Sequence, residues 1–221
     1  PFRRSMRSWR LEGSSSTTRT RSLGLSTGAS YHCAGAAVFP ILSVRPSMAH
    51  PDIERVLLDE AAIRGRIQEL AAQLSADYAG RRPVLIGILK GSVPFMADLM
   101  RAMTLDHTVD FMCASSYSGE SSTGVVRLVL DLRESIQGKD VLVIEDIIDT
   151  GLTLGYLRQN LLTRGPKSLE FVTLLDKPDC RKVNISPKYC GFKIPNEFVV
   201  GYGLDYDEAY RHLPYIGVLK K

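Results

Sequence analysis

No apolar run in this 221-residue chain approaches the ~20 residues a helix needs to cross a bilayer, so a helical membrane span is excluded. Cysteine is scarce: Cys33, Cys113, Cys180 and Cys190 are scattered, and no two stand in C-x-x-C spacing. That argues against both a zinc site and a disulfide framework and suits a reducing compartment. Acids are almost missing from residues 1–50, where Glu12 stands alone against seven Arg and no Lys. This segment is therefore net +6 within a total of +4, and the remainder of the chain is net −2. The positive charge belongs to a tail and is no sign of nucleic-acid binding by the folded part. Internal repeats are also lacking.

What is present has globular proportions, with 44% hydrophobic and 24% charged residues. Residues 1–47 are rich in Arg, Ser, Thr and Gly and lack a sustained apolar period. Two readings stand for them: a mitochondrial or plastid transit peptide, or sequence upstream of a start at Met48. Either way they are set apart from a folded domain expected over 48–221, which is cytoplasmic unless the extension is a true transit peptide.

From Asp59 onward, Ala62, Ile63, Ile67, Leu70, Ala71, Leu74 and Tyr78 recur at three- and four-residue steps, and Gly80 closes the helix they predict. Residues 83–91 (PVLIGILKG) read as a buried strand running into a loop. A helix is expected over 92–103, with Pro94 tolerable only in its first turn. Strands are expected at 108–114, 125–131 and 141–148, with a polar Gly/Ser loop at 116–124 between the first two. A helix from about Thr153 carries Leu154, Leu157 and Leu161 on one face and stops at Gly165-Pro166. Further strands are expected at 169–175, 198–205 and 215–219. Strands alternating with helices indicate an α/β fold with a mostly parallel sheet.

The most informative stretch is VLVIEDIIDTGLTL, residues 141–154. In parallel sheets ligands bind beyond the carboxyl ends of the strands, often where a helix begins. Here Glu145 and Asp146 fall near a strand end, and Asp149-Thr150-Gly151-Leu152-Thr153 turns the chain into a helix. Free backbone N–H groups and the helix dipole make such a turn an anion site, with the Thr150 and Thr153 hydroxyls as added donors. Carboxylates beside a phosphate make sense if they accept from sugar hydroxyls or face a divalent cation, as a phosphorylated ribose with magnesium would require. A remaining carboxylate could exchange a proton. An N-capped helix with solvated acids at its rim, or an acidic phospho-acceptor, is the alternative this motif alone leaves open.

EDIIDTGLT (145–153) resembles the 5-phosphoribosyl-1-pyrophosphate (PRPP) motif of type I phosphoribosyltransferases. ILKGSVPFMADL (88–99), SSYSGESSTG (115–124), LLDKPDCR (174–181) and FVVGYGLDYDEAYRHLPYIGVLK (198–220) resemble, in order, the Leu-Lys-Gly loop, mobile catalytic loop, purine-sensing lysine and C-terminal hood of the hypoxanthine-guanine phosphoribosyltransferase family, nearest its bacterial-type branch. The resemblance covers about 50–221. It implies a type I phosphoribosyltransferase fold, a central sheet flanked by helices with a small hood formed largely by about 177–221.

The resemblance also implies roles. Asp149 would handle the proton at purine N7, and Glu145 and Asp146 would contact the ribose hydroxyls. Asp149, Thr150, Gly151, Leu152 and Thr153 would cradle the 5-phosphate. Many members carry Lys where this chain has Leu152, a position that works mainly through its backbone. Lys90, Gly91 and Arg211 would bind pyrophosphate, with the Leu89–Lys90 peptide bond cis. Lys177 would donate to the purine 6-oxo group, Phe198 would stack on the base, and Val199 would read its edge through the backbone. Asp205 belongs to the same purine site and, with Glu145 and Asp146, to the Mg²⁺ ligands, Mn²⁺ being able to substitute. Ser116 and Tyr117 would close over the transition state.

The substrates implied are PRPP and 6-oxopurines, giving IMP or GMP, in a homodimer or homotetramer with no nucleic-acid or membrane partner. A PRPP-sensing regulator of the same fold is the competing class, but it would be expected to lose Asp149, Lys177 or the hood, and all are present. A xanthine-accepting enzyme stays open.

Overall fold

The computed structural model describes residues 49–116 and 126–220. The expected extension 1–47 lies outside them.

Asp59 starts the first helix, α1 (Glu60–Asp77), because its carboxylate accepts from Ala62 N at 2.7 Å and satisfies a donor the first turn leaves free. Ile63, Ile67, Leu70, Ala71 and Leu74 form its buried stripe. The strands β2 (Val84–Leu89), β3 (Thr108–Ser116), β4 (Val126–Leu130), β5 (Asp140–Ile148), β6 (Ser168–Asp176) and β7 (Tyr189–Lys193) form one sheet in the order β4-β3-β2-β5-β6-β7. Every neighbouring pair is parallel except β3–β4.

Alternation along each strand sorts side chains to the two faces. Leu85, Leu142, Ile144, Val172 and Leu174 join α1 and α2 (Val93–Ala102) in one core. Val84, Ile86, Val141, Val143 and Phe171 join α3 (Leu152–Leu162) in the other. Both faces are covered, which is why these strands read as continuous apolar runs. Pro94 sits in the first turn of α2, as expected.

A second, antiparallel sheet has the order β1-β9-β8, from β1 (Ile53–Leu58), β8 (Val199–Val200) and β9 (Ile216–Leu219). One expectation changes here. The strand expected over 198–205 keeps only two residues, because the chain turns at Gly201 (φ +99°), Tyr202 (φ +49°) and Gly203 (φ +99°). The range 177–221 is divided, since β7 joins the large sheet while β1, outside that range, completes the small one. β1 and β7 themselves were not anticipated.

The chain leaves β2 toward β3 and returns to its other side at β5, so the order reverses between β2 and β5. That crevice, at the strands' carboxyl ends, is where such sheets bind ligands. Lys90-Gly91 and Glu145–Thr153 both lie there.

Candidate active site

Three loops converge at the switch point. The first leaves β2 through a Leu89–Lys90 peptide bond that is cis. Gly91 follows, and its lack of a side chain is required: a Cβ there would fall on the Asp146 carboxylate. A Cβ on Gly203 would in turn meet the Gly91 carbonyl. Two glycines thus let this loop touch both the end of β5 and the small-sheet segment.

The second loop links β5 to α3. Gly151 is the N-cap of α3 at φ +79°, a left-handed conformation that suits glycine, and no side chain caps it. Thr150 Oγ1 accepts from Leu152 N at 3.4 Å. The N-cap itself offers no side chain, so the Thr150 hydroxyl engages only Leu152 N–H, through a long bond, and the other first-turn N–H groups stay available to an anion. A cleft of about 120 Å³ is lined by Glu145, Ile147, Ile148, Asp149, Thr150, Gly151, Thr153 and Leu154. Leu152 is exposed beside it.

Glu145 and Asp146 are not solvated rim acids. Burial first, then the neighbouring Asp146, holds the Glu145 carboxyl well above its ordinary 4.5. Its Oε2 is buried without a hydrogen-bond partner. Burial likewise pushes Asp146 up to about 6, although its Oδ1 accepts from Ile147 N at 2.8 Å. Each residue as a whole is half-buried, and the pair of partly desolvated carboxyls can accept from hydroxyl donors or face a cation. Among the described residues no three His, Cys, Asp or Glu side chains form a metal cluster, so Glu145, Asp146 and Asp205 make no preformed cage.

The third loop follows β6. Lys177 is 6% exposed, yet its ammonium lies 3.5 Å from the half-exposed Asp149 carboxylate. The two residues expected to handle the base and its proton therefore face each other. Cys180 lies beside them, its thiol pushed up by desolvation and then by Asp149. Arg181, which sequence reasoning passed over, pairs with the buried Asp176 and donates from Nη1 to the Asp149 carbonyl at 3.1 Å.

The small-sheet segment closes the crevice. Arg211 Nη2 pairs with Asp205 Oδ1 at 2.8 Å, and Nη1 donates to Gly203 O at 2.7 Å. Its Nε is buried without a partner. Glu208, also unanticipated, accepts from Lys90 Nζ at 3.0 Å and lies 3.4 Å from Arg211 Nη2. Both cations expected at pyrophosphate thus meet one carboxylate. Phe198 is 53% exposed and stands edge-on to Tyr206, with ring centroids 5.5 Å apart. Val199 is buried and pairs with Val218. Ser116 ends β3 opposite Val126, while Tyr117 and the rest of the expected lid fall outside the described residues.

The phosphoribosyl transferase domain model matches residues 56–207. The chain is 55% identical over 172 residues to the hypoxanthine-guanine phosphoribosyltransferase of Staphylococcus aureus, covering 77% of this chain and 96% of that protein. It is 52% identical over 172 residues to the bifunctional protein TilS/HprT of Listeria innocua, again over 77% of this chain but spanning only 26% of that longer relative. Among solved structures, a hypoxanthine phosphoribosyltransferase from Staphylococcus aureus superposes with a TM-score of 0.74 at 55% identity, covering 76% of this chain and 92% of that one. The Trypanosoma cruzi hypoxanthine phosphoribosyltransferase in complex with the product IMP gives 0.74 at 46% identity, over 78% and 97%. With the domain spread over most of its length and this identity to curated relatives, the chain belongs to the phosphoribosyl transferase family, in its hypoxanthine-guanine branch.

Proposed function

We propose that this protein transfers the 5-phosphoribosyl group of PRPP to N9 of hypoxanthine or guanine, releasing pyrophosphate and IMP or GMP. The observation that carries this reading is the Lys177–Asp149 pair beside the start of α3, whose N-cap is a glycine. One side of that pair is a phosphate cradle, and the other is a buried donor matched to a 6-oxo group.

The 5-phosphate seats on the N–H groups of 149–153, where the dipole of α3 favours its charge. The ribose hydroxyls donate to Glu145 and Asp146, relieving the orphaned Glu145 Oε2. As the anomeric C–O bond breaks, positive charge grows on the ribose and negative charge on pyrophosphate, which Lys90 and Arg211 neutralise. Both must leave Glu208 to do so. The base stacks on Phe198, Lys177 donates to its 6-oxo oxygen, and Asp149 takes the N7 proton. Adenine would turn an amino group toward Lys177, donor against donor.

Glu145, Asp146 and Asp205 would hold Mg²⁺, or Mn²⁺, which when bound offsets the pyrophosphate charge. Among the described residues these carboxylates form no complete cage, so substrate oxygens would complete the coordination. The same reading makes the protein a cytoplasmic homodimer or homotetramer. No helix among the described residues is long and apolar enough to cross a membrane.

The test is a spectrophotometric assay of the full chain with PRPP, Mg²⁺ and each of hypoxanthine, guanine, xanthine and adenine. Turnover of the first two with adenine inert is expected. Binding of PRPP without turnover of any base would replace the transferase with a sensor.

A further inference from the structure

Three consecutive carbonyls of the loop after β5 are tied to the segment that follows β6. Ile148 O accepts from Lys177 N at 2.9 Å, Asp149 O from Arg181 Nη1 at 3.1 Å, and Thr150 O from Lys182 N at 2.9 Å. In a trans peptide the carbonyl of one residue and the N–H of the next point in opposite directions. Pulling these carbonyls toward 177–182 therefore turns the N–H groups of Asp149, Thr150 and Gly151 the other way, into the cleft.

Two of the three ties are main chain to main chain. The middle one depends on a side chain, and that side chain is fixed. Arg181 is 15% exposed and Asp176 8% exposed, and the ion pair between them anchors the guanidinium. The planar fork lets one group serve both acceptors, which a lysine ammonium matches poorly. The Arg181 stem also lies against the bare face of Gly151, where a Cβ would stand 3.1 Å from Cδ.

We propose that Arg181 is a positioning residue for the phosphate loop. Anchored by Asp176, it holds the Asp149–Thr150 peptide with the Thr150 N–H facing the 5-phosphate. This rests on the transferase reading above. It assigns Arg181 to the PRPP side of the site, not to the base.

The experiment compares the wild-type chain with Arg181→Met, Arg181→Lys, the double variant Arg181→Met/Asp176→Leu, and Asp149→Asn. KM for PRPP and for hypoxanthine, kcat, calorimetric Kd for PRPP with Mg²⁺, and Tm are measured for each. Arg181→Met should raise KM and Kd for PRPP about tenfold, the scale of one hydrogen bond to a charged group, with KM for hypoxanthine within about twofold of wild type. Arg181→Lys should recover only part of that loss. Arg181→Met strands a buried carboxylate and lowers Tm. Replacing the whole pair by apolar side chains should restore Tm while PRPP binding stays weak.

Recovery of PRPP affinity together with Tm in the double variant would reduce Arg181 to a structural ion-pair partner and overturn the proposal. So would an equal loss for PRPP and hypoxanthine, or no loss for either. Asp149→Asn separates the two levels. If it turns over normally, the mechanism assigned to Asp149 fails, while the calorimetric PRPP affinity still decides the role of Arg181.

Discussion

Replacing Asp146 by Asn in the protein free of metal and substrate isolates the cost of burying a carboxylate where a ligand is meant to sit. The unfolded chain releases the Asp146 proton near 3.8 and the folded one near 6. A carboxyl raised on folding adds stability that is fully present below the unfolded value and is lost as pH rises through the folded one. The loss therefore develops between 3.8 and about 6 and is complete above about pH 7. At 1.36 kcal/mol per pH unit the difference amounts to about 3 kcal/mol. Partial solvent access at Asp146 reduces this to about 1–3 kcal/mol.

Asn keeps the acceptor that Ile147 N uses and carries no charge. The variant should therefore melt on the order of 5 °C above wild type at pH 7.5, with the gap closing toward pH 4. Adding PRPP with Mg²⁺ should reverse the order, because only the wild type binds them well and gains stability by mass action. Thermal unfolding at pH 4, 5, 6 and 7.5, with and without ligand, reads all of this. A variant that tracks the wild-type melting temperature at every pH would show that Asp146 stays hydrated and that its burial carries no penalty.

Asp149→Asn should lower kcat by about 10² or more while calorimetric PRPP binding largely persists, and near-normal turnover would remove Asp149 from the chemistry. Lys177→Gln, whose amide can present either a donor or an acceptor, should narrow the discrimination between hypoxanthine and adenine by the roughly 1–3 kcal/mol that an unmatched buried donor costs; equal losses in kcat/KM for both bases would limit Lys177 to shaping the pocket. Gly91→Ala drives a methyl into the Asp146 carboxylate and should destabilise by about 1–3 kcal/mol and weaken PRPP binding, with unchanged Tm and affinity as the contrary result. Removing residues 1–47 should leave turnover and Tm unchanged, and a large fall in either would place those residues against the domain.

Periodicity by itself determined the elements whose burial is uniform. α1 shows its stripe from Ile63 to Leu74, and β2, β5 and β6 read as apolar runs because helices cover both faces of the sheet. The acids interrupting the end of β5, followed by Asp149-Thr150-Gly151, drew attention to the strand end, but the motif alone left a solvated helix start open, and the site residues came from the family resemblance. Short elements escaped. β1 has two register shifts that break its alternation, and its partner β9 lies at the other end of the chain. β7 is five residues with a glycine at its centre. The stretch 198–205 has strand-like composition, but backbone turns at Gly201 and Gly203 end the strand after two residues.

Only the tertiary structure decided which groups meet. Arg181 on the Asp149 carbonyl, Glu208 between Lys90 and Arg211, and Gly91 against Asp146 each join segments far apart in sequence. The isolation of Glu145 Oε2 is likewise a property of its surroundings. Local pattern reports which face of an element is apolar. The partner of a polar group depends on how the elements pack, and that was settled by the crossover that brings β2 and β5 side by side.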